Sequence, residues 1–213
     1  YLNRYYSDVL GWTDTERFGR FSALLPIISV IFVIMGNLIL GWLIDKTKTK
    51  EGKARPFLFI SAPLLVIAII ALFTTPFNGE PIIQIIWIAL SYNLYYAIAY
   101  PFYYTSHSSL VSLSTRDSEA RGLLATLSNS SGVAAVGLGA SILVPMLLQS
   151  YLFVEKDGII DRSTSYQHWK IVMLILCVVT VLGVLLEYYF TRERITEEKL
   201  DFEDNKQDTI PLK

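Results

Sequence analysis

The chain is 213 residues long, 53% hydrophobic and only 17% charged, with a mean hydropathy of +0.44. An average soluble domain carries about 25% charge, so this composition points to a membrane protein. A net charge of −1 excludes the global basic field that nucleic-acid binding needs, and a lone cysteine, Cys177, excludes an intrachain disulfide and cysteine-ligated metal.

A helix needs roughly 20 predominantly apolar residues to cross a bilayer. Taken in chain order, the aromatic stub Tyr1 to Tyr6 reads as the last turns of a helix whose beginning is missing. Five full spans follow: Phe21 to Ile44, Phe57 to Thr74, Ile82 to about Tyr104, Leu123 to about Leu148, and Ile171 to about Tyr189. The second and third full spans are separated by "TPFNGEP", a Pro/Gly turn. The last two are separated by "SYLFVEKDGIIDRSTSYQHW", a polar connector with a Lys-Asp-Gly turn and interfacial aromatics. The tail "TRERITEEKLDFEDNKQD" carries both signs of charge and reads as a solvated linker, so the bundle is expected over 1–190 and the start of a linker over 191–213.

Lys and Arg mark the cytoplasmic side. Twelve of them fall in the 45–56 connector, in the 105–121 connector and in the tail, against six on the other side. Both ends of the six helices and these two loops are therefore expected in the cytoplasm. The five spans have charge-free interiors. Glu187 falls near the end of the last one and reads as an interfacial carboxylate beside Arg192 and Arg194, and Cys177 reads as a small packed residue.

The span "SYNLYYAIAYPFYYTSHSSL" is the unusual one. Asn93, Tyr96, Tyr100, Tyr103 and His107 recur at spacings of three and four and are expected on one helix face. A phenol joins a flat apolar ring to a hydroxyl, which suits a partly wet cavity that stacks on a sugar ring or another amphipathic solute; the alternative is an interfacial or packing role. Pro101 implies a kink. His107 is a proton carrier or, more ordinarily, a neutral packing residue, and His168 is too far away in sequence for a shared metal site. In the next span Ser131, Ala135 and Gly139 form a small-residue face suited to close helix approach. Just before it, "SNSS" places Asn129 and three hydroxyls at membrane depth, where each needs a partner or a wet cavity. No nucleophile triad, phosphate loop or acid pair is present, so no enzyme activity and no cofactor are expected.

The stretch Gly41-Trp-Leu-Ile-Asp45, followed by Gly52-Lys53-Ala54-Arg55-Pro56, resembles the loop between helices two and three of the major facilitator superfamily. In its "GKARP" form it resembles the glycoside-pentoside-hexuronide:cation symporter family, the melibiose-carrier-like group. "YYSDVLG" (Tyr5 to Gly11) resembles that family's end of helix one. "LVSLSTRDSEAR" (Leu110 to Arg121) resembles its loop between helices four and five, with Thr115, Asp117 and Arg121 on the recurring positions. The resemblance implies an all-α membrane protein, the N-terminal six-helix half of a major facilitator fold with its first helix truncated. It also implies alternating access of a sugar or glycoside-like solute, coupled to Na+ or H+. The partners implied are the bilayer and the missing C-terminal half of the same transporter.

On this reading Asp45 accepts hydrogen bonds from a neighbouring helix N-terminus, and Lys53, Arg55 and Arg121 pair with carboxylates such as Asp117 to gate the cytoplasmic face. The family's helix-two acids fall on Val33 and Asn37. In an ungapped alignment the sugar-contacting helix-four acid and tryptophan fall on Tyr104 and Ser108, and a helix-five arginine falls on Asn129; a gap aligning Pro101-Phe102 shifts this. Sodium coupling and galactoside specificity are thus not carried over, and carboxylate coupling is expected from groups outside this chain. The solute-binding candidates are Asn37, Tyr96, Tyr100, Tyr103, Tyr104, Ser108 and Asn129. Two rivals remain: a transporter of lysolipid-type amphipaths, suited by the acid-free second helix, and a non-transporting membrane sensor of the same fold.

Overall fold

The computed structural model describes residues 2–11, 15–49, 51–156 and 158–194. Lys50, Asp157 and the tail residues 195–213, including Lys199, Lys206 and Lys213, lie outside the described residues. The fold is all-helical apart from one two-stranded hairpin. A short helical segment α1 (2–9) precedes five long helices: α2 (Thr15–Lys46), α3 (Arg55–Phe73), α4 (Pro81–Leu113), α5 (Ser118–Leu152) and α6 (Arg162–Phe190). All five are long and apolar enough to cross a membrane, whereas α1 is too short to do so. The chain is a multi-pass membrane protein.

Three expected boundaries move. The fourth helix runs to Leu113 instead of ending near Tyr104, because Ser106 and Leu110 are buried and continue its packed face. The last helix begins at Arg162, nine residues before the apolar run, because Asp161 caps it: its carboxylate accepts from the Thr164 amide (3.2 Å) and hydroxyl (2.8 Å). The connector before it is not irregular either. Glu155–Lys156 (β1) pairs antiparallel with Ile159–Ile160 (β2), and Lys156 Nζ reaches Asp161 at 2.6 Å. That lysine bond, with the Thr164 bonds, holds the Asp161 carboxyl down at about 2.

The helices join around two apolar clusters, one toward each end of the bundle. At the end carrying α1 and the hairpin, Tyr5, Tyr6, Val9, Leu148, Leu152 and Trp169 are buried together, with Phe73 stacked on Trp169 at 5.6 Å. Two phenols lock this end to the chain after α3: Tyr5 donates to the Phe73 carbonyl (3.1 Å) and Tyr166 to that of Thr75 (3.0 Å). At the opposite end Leu40, Ile44, Ala54, Leu58, Leu110 and Val184 form the second cluster. Cys177 is buried, as expected of a packed residue. The face of Ser131 and Ala135 on α5, expected to admit another helix, is uncovered among the described residues.

The bend expected at Pro101 is a longer rearrangement. In an α-helix residue 101 would donate to the carbonyl of Ala97, but proline has no N–H, and the preceding turns Leu94–Ala99 open into π-helix. The Ala97 carbonyl points instead at Gly36 of α2. A Cβ on Gly36 would lie 1.9 Å from that oxygen, so only glycine permits the α2–α4 crossing. Alanine in a helix normally gains about 1 kcal/mol over glycine, whereas a clash with backbone costs about 1–3 kcal/mol. We expect Gly36→Ala to lower the thermal midpoint of the detergent-solubilised protein and Gly183→Ala, with open space around its Cβ, to leave it unchanged or raised. Stabilisation by Gly36→Ala would contradict this crossing.

Candidate functional site

The expected face of α4 meets different neighbours along its two edges. On one, Tyr92, Tyr96, Tyr100 and Tyr104 follow one another along the helix, with ring centroids 4.4 Å apart for Tyr92–Tyr96 and 5.7 Å for the stacked Tyr100–Tyr104 pair. Tyr95 bridges the middle, 4.9 Å from Tyr96 and 6.2 Å from Tyr100. Tyr96, Tyr100 and Tyr104 are exposed at 38%, 42% and 53%, in the range of other outward-facing side chains such as Phe59 and Trp42. Ser108, one turn beyond Tyr104, is also exposed. The Tyr6 hydroxyl, whose phenol neighbours are Tyr92 and Tyr96, is buried with no hydrogen-bond partner among the described residues.

Asn37 of α2 donates to its own helix at Val33 (2.8 Å), and its oxygen accepts from Thr105 of α4 at 3.5 Å, beside the Gly36 crossing. Asn129 is exposed on α5. The structure therefore brings Tyr96, Tyr100, Tyr104 and Ser108 onto one stripe and sets Asn37 against the same helix.

Tyr103 and His107 belong to the second edge, which turns toward α6. They stack at 5.8 Å. His107 Nδ1 lies 2.5 Å from Glu187 Oε1, and its Nε2 lies 2.9 Å from the Ser128 hydroxyl of α5. Glu187 was expected beside Arg192 and Arg194; its actual partner is His107, because α6 packs against α3 and turns this carboxylate toward α4. Of the "SNSS" hydroxyls, Ser128 meets the imidazole and Ser131 returns to its own helix at the Ser128 carbonyl (2.9 Å).

The Gly52 to Pro56 loop is held by a residue that the sequence places in a solvated linker. Glu193, 1% exposed, accepts from the backbone N–H groups of Lys53 (2.8 Å), Ala54 (2.7 Å) and Arg55 (2.9 Å). These are orphan donors at the start of α3, where the helix dipole favours an anion. Gly52 has φ +119°, and a Cβ there would lie 2.3 Å from the Glu193 carboxyl carbon. Arg55 donates from Nη2 to the Tyr188 carbonyl at 3.0 Å and lies over its ring, and the Arg194 amide donates to the Leu113 carbonyl at 3.0 Å.

This arrangement corrects the expected gate contacts. The N-terminus of α3 takes Glu193, while Asp45 is exposed and hydrogen-bonds to no described residue. Asp117 caps α5 through the Glu119 amide (3.0 Å), Arg121 donates to the Arg116 carbonyl (3.3 Å), and no ion pair joins Lys53, Arg55 or Arg121 to Asp117 among the described residues. Glu193 was missed because it lies in the mixed-charge stretch after α6 that reads as a solvated linker, and Glu187 was read as interfacial with its partner sought at Arg192 and Arg194. Their six-residue separation, with Tyr188 between them, was the available signal.

The chain matches the family described as MFS/sugar transport protein over residues 1–210. It is 28% identical over 151 residues to an uncharacterized symporter of Bacillus subtilis, covering 70% of this chain and 31% of that protein. It is 26% identical over 181 residues to a lactose permease of Leuconostoc lactis, covering 83% and 27%. It is 26% identical over 201 residues to an isoprimeverose transporter of Lactiplantibacillus pentosus, covering 92% and 38%. The chain thus spans about a third of the length of these relatives.

Removing the Glu193 carboxylate leaves three N–H groups at the start of α3 without their acceptor. An unsatisfied buried polar group costs about 1–3 kcal/mol, so Glu193→Ala is expected to destabilise the detergent-solubilised protein by that amount. Glu193→Gln retains one oxygen acceptor and is expected to lose less. Equal thermal midpoints for wild type and Glu193→Ala would refute the cap.

Proposed function

The chain belongs to the MFS/sugar transport family, and from that premise we propose that it forms the N-terminal half of a secondary transporter that moves a sugar or glycoside-like solute by alternating access. The observation that carries this reading is the exposed tyrosine stripe of α4. Four rings, Tyr92, Tyr96, Tyr100 and Tyr104, present flat apolar faces with hydroxyl edges, the combination that a pyranose needs on its carbon face and its rim. Asn37, Ser108 and Asn129 supply neutral hydrogen-bonding groups on α2, α4 and α5, and the partnerless Tyr6 hydroxyl is a further donor close to the stripe. A neutral, hydroxyl-rich lining suits an uncharged polyol better than an ionic solute. The relatives named as lactose permease and isoprimeverose transporter support the same substrate class.

We place the 45–56 and 105–121 loops in the cytoplasm, on the excess of Lys and Arg. The loop carrying Asp45 and the Glu193-capped start of α3 lies at that face. With its carboxylate exposed, Asp45 is proposed to engage the second half of the transporter in one state and release it in the other.

In proteoliposomes of the complete transporter, uptake of labelled glycosides is expected. Losing one aromatic stacking contact is worth about 0.5–1.5 kcal/mol, so Tyr100→Ala and Tyr104→Ala should weaken half-saturation by roughly 2- to 10-fold, and Tyr100→Phe by less. Unchanged half-saturation in both alanine variants would remove the stripe from the solute path. Asp45→Ala is expected to slow uptake more than it weakens solute binding; an uptake rate equal to wild type would exclude the gating role.

A further inference from the structure

We infer that His107 and Glu187 form a proton-binding pair through which this half of the transporter couples solute movement to a proton gradient. The inference rests on the transport reading above and names its coupling site. The pair joins two membrane-spanning helices, α4 and α6, and Ser128 ties it to a third, α5. Ionisable groups within spanning helices are rare and mark ion or proton paths, because an apolar contact of the same volume holds helices together without desolvating charge.

The pair is built to exist in two protonation states. An ionised carboxylate only accepts, so Glu187 fixes Nδ1 of His107 as the N–H donor. With the imidazole neutral, Nε2 is an acceptor and the Ser128 hydroxyl donates to it. When a proton binds Nε2, that N–H donates and the same hydroxyl rotates to accept. Every polar atom keeps its partner in both states, with no side chain relocated. The proton enters and leaves at Nε2, no other bond is made or broken, and the pair alternates between a net charge of −1 and zero. The loaded form is the one that a closed, dry interior favours.

Access is also present. Both side chains retain exposure, 27% for His107 and 17% for Glu187, toward a cavity of about 1120 Å³. Its walls run from Ser128 through Leu124 and Thr115 to Arg192 and Arg194, at the end of the bundle that carries the Glu193-capped loop. The groups facing the pair are the Tyr103 phenol from α4, which hydrogen-bonds to Glu187, Ser128 among leucines from α5, and Arg192 and Arg194 beyond α6. From α3, Arg55 is engaged by the Tyr188 carbonyl. Among the described residues no Lys or Arg forms an ion pair with Glu187, so the imidazole is its one cationic partner.

The test uses the complete transporter in proteoliposomes, with an inward acid gradient and no sodium. One proton per solute supports at most about 10-fold accumulation per pH unit. Wild type is expected to approach that ratio, and His107→Gln and Glu187→Gln to fall to equilibration while still exchanging labelled for unlabelled solute. Glu187→Asp should restore part of the accumulation. Accumulation by both glutamine variants equal to wild type would overturn the inference. A second measurement does not depend on transport: infrared titration of the detergent-solubilised protein between about pH 5 and 9. Wild type is expected to show an imidazole band and a perturbed carboxylate band moving together; His107→Gln should lose that imidazole band and keep the one from His168, Glu187→Gln should lose the carboxylate band, and neither variant should show the coupled change. If no glycoside moves yet the bands titrate together, the solute assignment fails and the proton site stands. If the bands are unchanged by substitution, the proton site fails whatever the transport result. Should the glutamine variants not fold, Ser128→Ala, which keeps the pair but removes the Nε2 partner, must shift the pH of half-titration; an unshifted titration overturns the inference.

Discussion

The geometry of one end of the bundle depends on the carboxylate of Glu193 seated on three backbone N–H groups at the start of α3. Helix N-termini leave orphan donors, and within or near a bilayer water does not satisfy them cheaply. Here the chain that leaves α6 supplies the acceptor, at 2.7–2.9 Å, and Gly52 supplies the room for it. The contact joins segments about 140 positions apart in sequence and fixes the relative height of α3 and α6. Arg55 reinforces it from the other side by holding the Tyr188 carbonyl. With α6 so placed, Glu187, six residues before the cap, is delivered to the interior at the level of His107. The His107–Glu187 pair near the ends of α4 and α6 is thus a consequence of the cap just beyond them.

A second constraint operates deeper in the bundle. Pro101 cannot donate to the Ala97 carbonyl, the helix relaxes over Leu94–Ala99, and the freed oxygen is accommodated by the missing side chain of Gly36. The widened turn shifts the phase of every residue beyond it. Beyond it Tyr100–Leu113 is again α-helix, in which Tyr100 and Tyr104 continue the stripe begun by Tyr92 and Tyr96 while Tyr103 and His107 stack beside them toward α6. The tyrosine stripe and the ionisable pair thus lie on adjoining sides of one helix. The proposed binding and coupling functions are joined by α4.

Much of the fold was legible in the sequence, because hydrophobic length is a direct consequence of bilayer thickness. The five spans could be read from residue type alone, and the family resemblance carried by Gly52 to Pro56 agrees with membership of the MFS/sugar transport family. The start of α6 was not, since Asp161 caps a polar turn that carries no apolar signal. Spacing on α4 gave the sector but not its neighbours: Tyr103 and His107 lie at its edge toward α6, and which residues meet them was set by tertiary packing. The acceptor for the α3 N-terminus was sought at Asp45, close in sequence, when tertiary packing supplies Glu193 instead. Charge type and helix phase were available locally, whereas partner choice depended on contacts across the whole chain.

The account stands most directly on the claim that the Tyr96–Tyr100–Tyr104 side of α4 borders a water-filled solute path. Cys177 is the single cysteine in this sequence and is buried, so introduced thiols in this half can be read against a low background. The decisive measurement is the labelling rate of Tyr100→Cys and Tyr104→Cys by a membrane-impermeant maleimide in the complete transporter, with and without glycoside. We predict labelling at both positions that the transported glycoside slows, and none at Ile175→Cys on the exposed apolar side of α6. Tyr100→Cys and Tyr104→Cys that are as unreactive as Ile175→Cys would place the stripe in lipid and contradict the account.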